Sequence, residues 1–335
     1  MPRLPRRSVA VFGSGLACAA ALVALAAVSA RSGAAAQTPE LVAFSTPFLV
    51  RPAPAVMAKY SETGNWSSLW WLPETGETAV PGSQVAVARP DALPHLIFVP
   101  PGSAPQKGWP LIVFLHGQGE SSPSPLPMVA LQGPPQHAGR HPTTLPFAVL
   151  SPQKPMRSQF FDDDVAEGIA ALIKHYSAAL SLDTSRVYLT GLSQGGIGTW
   201  NLASDEKYTA LFAAIAPVCG GLRPPLALRA RHLANMPIYA FHGRNDEILP
   251  VSMSDESVKA CENVTRTQSA GKVKYDRIQR AAGKDYSWDA ADIPHMEGHA
   301  SWVNAYYPED SILGQVPLYD WFLSHSRPAR SAAPE

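Results

Sequence analysis

Gly191-Leu192-Ser193-Gln194-Gly195-Gly196 stands between the β-rich run Val187–Thr190 and a stretch able to form a helix. The spacing is G-x-S-x-G. A serine at a strand-to-helix turn must adopt a strained backbone, and flanking glycines let neighbouring chains approach without a Cβ clash. Such a turn lifts the serine Oγ above the sheet edge. The helix N-terminus behind it favours negative charge developing nearby. This hexapeptide therefore predicts a sheet whose strand ends carry chemistry, with Ser193 as candidate nucleophile.

Working outward, short apolar runs alternate with helical patterns, the rhythm of a doubly wound, mostly parallel sheet with helices on both faces. His95–Val99, Leu111–Leu115, Phe147–Leu150, Leu211–Pro217, Pro237–Phe241 and Lys272–Ile278 read as strands. Leu111–Leu115 is continuously apolar, as a strand buried on both faces should be. Asp162–Asp164 open a helix in which Val165, Ile169, Leu172, Ile173, Tyr176 and Leu180 recur at helical spacing. Ser254–Arg266 and Tyr319–Ser324 read as further helices.

Three motifs flank the strand ends. Leu115-His116-Gly117-Gln118-Gly119-Glu120 closes an apolar strand, and its glycines allow a tight loop that aims a backbone N–H inward. An oxyanion needs two such donors. The residue after the nucleophile and this loop nominate Gln194 and Gln118. His116 reads as a loop-ordering histidine, and Glu120 as a loop-ordering carboxylate. His242-Gly243-Arg244-Asn245-Asp246 follows the strand Pro237–Phe241, which puts Asp246 at the edge where open α/β sheets bind ligands. Gly298-His299-Ala300-Ser301-Trp302 lies beyond the last strand, and Gly298 permits a tight approach to His299. Glu247, Asp289, Asp292 and His295 compete for the acid and base roles. Trp200, Trp302, Tyr306 and Tyr307 stand near the motifs, either lining a substrate pocket or packing the core.

These blocks resemble those of a known group. Gly191–Trp200, Ala216–Gly221, Phe241–Pro250 and Gly298–Trp302 are similar to phospholipase/carboxylesterase-like and dienelactone-hydrolase-like α/β-hydrolases, which include secreted feruloyl-esterase-type and polyhydroxybutyrate-depolymerase-type enzymes. Leu115–Glu120, Gly133-Pro134-Pro135 and Ser151-Pro152-Gln153 also resemble a subgroup labelled "predicted peptidase". The resemblance runs from about His95 to His325. It implies the α/β-hydrolase fold, a Ser193–Asp246–His299 triad, an oxyanion hole at Gln118 and Gln194, and ester hydrolysis without a cofactor or metal. The stretch Ala281–Glu297 is longer than the link these relatives place before their histidine, so substrate preference does not carry over. The alternatives are a peptidase on the same fold and an inactive hydrolase-fold binding protein.

Composition narrows the partners. Lys+Arg and Asp+Glu both total 27, which offers no basic face to nucleic acid. The expected substrate is a small or polymer-linked ester. Arg3, Arg6 and Arg7 precede an uncharged Ala-rich stretch, and Ala34-Ala35-Ala36 offers a cleavage site, so residues 1–36 read as a secretory signal peptide. An uncleaved membrane anchor is the alternative. Residues 37–91 read as an N-terminal extension packed on the core, 92–326 as the catalytic domain, and 327–335 as a flexible tail. Cys18 leaves with the leader, and Cys219 and Cys261 are expected to pair in an oxidising compartment, with two buried, unpaired thiols as the alternative. N-terminal sequencing of exported protein should find a soluble chain beginning near Gln37. A start at Met1 in membrane fractions would mark the anchor instead.

Overall fold

The computed structural model describes residues 74–75, 79, 81–265, 273–279, 296–307 and 317–328. The leader, most of the extension, and Asp289, Asp292 and His295 lie outside the described residues.

Among the described residues nine strands form one sheet: β1 (Glu74–Thr75), β2 (Gln84–Val87), β3 (His95–Phe98), β4 (Trp109–Leu115), β5 (Ala148–Pro152), β6 (Leu182–Leu192), β7 (Ala214–Val218), β8 (Ile238–Gly243) and β9 (Val273–Ile278). Their order is β1-β2-β3-β5-β4-β6-β7-β8-β9. β3 runs antiparallel to both β2 and β5, and every other pairing is parallel.

Parallel strands need both faces covered, and the side-chain alternation of β4 shows how that is met. Leu111, Val113 and Leu115 enter one core, and Ile112 and Phe114 enter the other. On the first face lie α2 (Asp163–Ala179), α3 (Gln194–Ala203), α4 (Leu226–His232) and α5 (Ser252–Thr265). The second face is covered by α1 (Gly133–Arg140), α7 (Trp302–Tyr306) and α8 (Leu318–Leu323), while a one-turn α6 (Met296–His299) ends the chain segment before α7. Tyr188 of β6 stacks on Phe322 with ring centroids 4.7 Å apart, fastening α8 to the sheet centre.

Register places the site. Leu115 pairs with Gly191, Leu192 with Val218, and Val218 with Phe241. The C-terminal ends of β4, β6, β7 and β8 are thereby level, so the loops leaving them meet at one edge.

Several expectations shift. Leu211–Pro217 is not one strand: Thr209–Leu211 forms a 3₁₀ turn and β7 starts at Ala214. α1, which the sequence reading did not assign, opens on Gly133-Pro134-Pro135, because prolines in a first helical turn cost no hydrogen bond. Arg327, placed at the start of a flexible tail, is docked by its N–H on Ser185 O at 2.8 Å.

The expected disulfide is the clearest correction. Cys219 and Cys261 are both buried, unpaired thiols. Cys219 follows β7 and packs in the second core, while Cys261 sits on α5 in the first. The sheet lies between them, so no side-chain rotation brings the sulfurs within bonding range. Thiol titration of denatured, unreduced protein should therefore find both cysteines reactive. Protection of the pair until reductant is added would contradict this placement.

Candidate active site

β6 runs into α3 with no intervening loop, and Ser193 takes the corner at φ 56°, ψ −117°. For a residue with a Cβ this left-handed region costs on the order of 1–3 kcal/mol. Two contacts hold it: the Ser193 N–H donates to Val218 O at 3.0 Å and to Cys219 Sγ at 3.1 Å. The turn closes only because Gly195 has no side chain, since a Cβ there would lie 1.8 Å from Leu115 O. Gln194 is the first residue of α3, so its N–H is one that the helix cannot satisfy internally.

Three side chains converge. His299 Nε2 is 2.9 Å from Ser193 Oγ, and His299 Nδ1 is 2.7 Å from Asp246 Oδ2. Asp246 Oδ1 accepts the N–H groups of Ile248 and Leu249, each at 2.9 Å. Burial would raise the Asp246 pKa, but hydrogen bonds from His242 and His299, and the nearby His299 charge, hold it well below the usual carboxylate range. An ionised Asp246 makes Nδ1 of His299 the protonated nitrogen. Nε2 is then left to accept the Ser193 hydroxyl proton.

Gly298 shows why the histidine loop fits. A Cβ there would lie 2.1 Å from Asn245 O, so the loops carrying His299 and Asp246 touch backbone to backbone. The Trp302 ring meets the His299 ring edge-on at 5.4 Å. Glu247, one competitor for the acid role, is exposed.

The His116–Ser121 loop lies beside the serine. A Cβ on Gly117 would be 3.8 Å from Ser193 Cβ, and Gln118–Glu120 form a 3₁₀ turn directly after it. His116 is buried and bonded at both nitrogens, Nδ1 donating to Gly117 O at 2.6 Å and Nε2 accepting the Lys154 N–H at 3.2 Å. Burial lowers its pKa to about 3, which keeps it neutral. Glu120 is also buried, and desolvation raises its pKa to about 7. Gln153 Nε2 donates to Glu120 O at 2.8 Å and Ser124 O at 2.9 Å.

The four aromatics read as either pocket or core residues, Trp200, Trp302, Tyr306 and Tyr307, are buried in the cores. Trp200 is wholly buried in the first core, two helical turns along α3 from Ser193. Tyr306 is wholly buried in the second, with its hydroxyl 2.8 Å from Thr190 Oγ1. Trp302, buried in the second core, meets the site at His299.

Sequence reasoning gave no role to His242, although it begins the motif that ends in Asp246. It is fully buried, with Nδ1 2.7 Å from Ser254 Oγ and Nε2 2.9 Å from Leu249 O and 3.2 Å from Asp246 Oδ2. Its four-residue offset from Asp246 was the available signal. Among the described residues, Cys219, Asp246 and His299 form the one group of three ligand-type side chains close enough to share a metal ion, with donor atoms within 4.8 Å of one another. An ion there would compete with the Asp246–His299 hydrogen bond.

Comparison with known proteins agrees with this architecture. The family model described as Phospholipase/Carboxylesterase matches residues 136–280, a span that contains Ser193 and Asp246 and ends before His299. A bifunctional acetylxylan esterase/xylanase of Neocallimastix patriciarum is 25% identical over 214 residues, covering 60% of this chain and 29% of that protein. A crystal structure of a thermostable esterase matches with a TM-score of 0.54 and 26% identity, over 73% of this chain and 63% of that one. An acetyl xylan esterase from Aspergillus awamori matches with a TM-score of 0.41 and 16% identity, over 55% of this chain and 80% of that one. The chain thus spans less than two thirds of the length of the first two.

The lowered Asp246 pKa has a stability consequence. Its stabilisation is fully present above the unfolded-state value of about 3.9 and is lost as pH falls toward the folded value. The gap in urea midpoint between wild type and Asp246→Asn should therefore hold steady down to about pH 5 and narrow from there to about pH 2. A gap that stays constant across that range would contradict the assignment.

Proposed function

As a member of the α/β-hydrolase superfamily, this chain is, we propose, a serine hydrolase of carboxylic esters that works through an acyl-enzyme on Ser193. The observation that carries the proposal is the continuous hydrogen-bonded line from Asp246 through His299 to a Ser193 Oγ presented by a strained turn.

The roles follow from the geometry. His299 Nε2 takes the Ser193 proton as Oγ attacks the ester carbonyl, then returns it to the leaving alcohol. Asp246 keeps the imidazole in the required tautomer and stabilises the imidazolium as it forms. The backbone N–H groups of Gln194 and Gln118 receive the oxyanion, one at a helix N-terminus and the other beside Ser193. Water then attacks the acyl-enzyme with His299 again as base.

Esters are favoured over amides on chemical grounds. An alkoxide leaves more readily than an amine, so ester cleavage can rely on the oxyanion hole and one placed histidine. The esterase names of the matched proteins support the same preference, and the acetylxylan esterase of N. patriciarum supports a polymer-linked ester among the substrates. Export through residues 1–36 belongs to this reading, as does action without a cofactor, nucleic acid or stable membrane insertion. Among the described residues no helix is long and apolar enough to cross a membrane.

Ser193→Ala and His299→Ala should each lower kcat by about 10⁴–10⁶, and Asp246→Asn by about 10⁴. A short-acyl nitrophenyl ester should be cleaved with far higher kcat/KM than matched peptide nitroanilides. A peptide substrate equalling the best ester would replace the esterase with a peptidase.

A further inference from the structure

Lys154 follows β5 by two residues and is wholly excluded from solvent. A buried ammonium is costly unless every proton has an acceptor. Its Nζ has three: Ser121 Oγ at 2.9 Å, Gln118 Oε1 at 3.3 Å and Pro155 O at 3.3 Å. The backbone N–H of the same residue donates to His116 Nε2. One lysine therefore grips the His116–Ser121 loop at its start, middle and end.

The contact with Gln118 is the informative one. Gln118 is an exposed side chain that water would satisfy, yet its amide is tied at both ends. Oε1 accepts from Lys154, and Nε2 donates to Met156 O at 3.0 Å. Gln194 is tied to the same segment, its Nε2 donating to Gln159 Oε1 at 3.0 Å. Residues 154–159 thus fasten the side chains of both residues assigned as oxyanion donors. The groups facing the ammonium are Glu120 and His116 from the loop and Asp162 from the start of α2.

We propose that Lys154 is a positioning residue: through the Gln118 side chain it holds the Gln118 backbone N–H toward Ser193, ready for the oxyanion. The proposal rests on the serine-hydrolase reading and on Gln118 as a donor. It predicts a defect that appears in the transition state and leaves ground-state binding intact, because the loop's donor is needed only once the carbonyl oxygen carries charge.

The experiment compares Lys154→Met, Gln118→Ala, the double variant and Ser193→Ala on a short-acyl nitrophenyl ester. An alkyl boronic acid serves as the tetrahedral-oxyanion probe. Lys154→Met keeps the stem volume and removes the charge, while Gln118→Ala removes only an exposed side chain and leaves the backbone donor. Each single variant should lose about ten- to a hundredfold in kcat with KM within about twofold, and boronate affinity should fall by a similar factor. The double variant should be no worse than the poorer single variant by more than about twofold, since both act through one contact. Multiplying losses, or a folded Lys154→Met with unchanged kcat, would overturn the proposal. If Lys154→Met does not fold, Gln118→Ala decides: reduced kcat with constant KM supports the role, and unchanged kcat overturns it. Activity retained by Ser193→Ala would instead remove the hydrolase reading itself.

Discussion

Everything at this site depends on a single backbone conformation, the left-handed corner at Ser193. A serine at φ 56° persists only where its surroundings over-determine it, and here they do so from three sides. Val218 O takes its N–H, the paired ends of β4 and β6 set its height, and Gly195 lets Leu115 O pass where any Cβ would collide. The strain, on the order of 1–3 kcal/mol, is supported by the buried ends of β4, β6 and β7. In return the hydroxyl stands clear of its own backbone and at the N-terminus of α3.

The acidic and basic partners are arranged by a second constraint, close contact between two loops. Gly243, Asn245 and Gly298 bring the loops after β8 and before α7 to backbone contact, which sets the distance from Asp246 to His299. Two backbone N–H groups and two histidines then surround one carboxylate, so it stays ionised although buried. Lys154 does for the loop after β4 what these contacts do for the loop after β8.

Much of this was legible in the residues. The apolar run Leu111–Leu115 announced a strand buried on both faces, and G-x-S-x-G between strand and helix announced the corner. The glycine before His299 rightly pointed to a tight approach there. What escaped reading depended on which face of the sheet a residue occupies, information that chain order does not carry. Cys219 and Cys261 looked pairable as the two cysteines left in an oxidising compartment, yet one packs above the sheet and the other below. Trp200 sits seven residues past Ser193, two helical turns on, and α3 carries it into the core. α1 was hidden by its own prolines. Lys154 had no signal at all, since a single lysine after a strand reads as surface, and only the fold shows it buried.

The central claim is that Ser193 is an activated nucleophile, made so by His299 and Asp246. Incubating the full chain with a fluorophosphonate, followed by proteolysis and mass mapping, tests it without knowledge of the natural substrate. A single covalent adduct on Ser193 is predicted, with labelling rates greatly reduced in His299→Ala. An unlabelled protein, or an adduct on a different residue at comparable rate, would contradict the account.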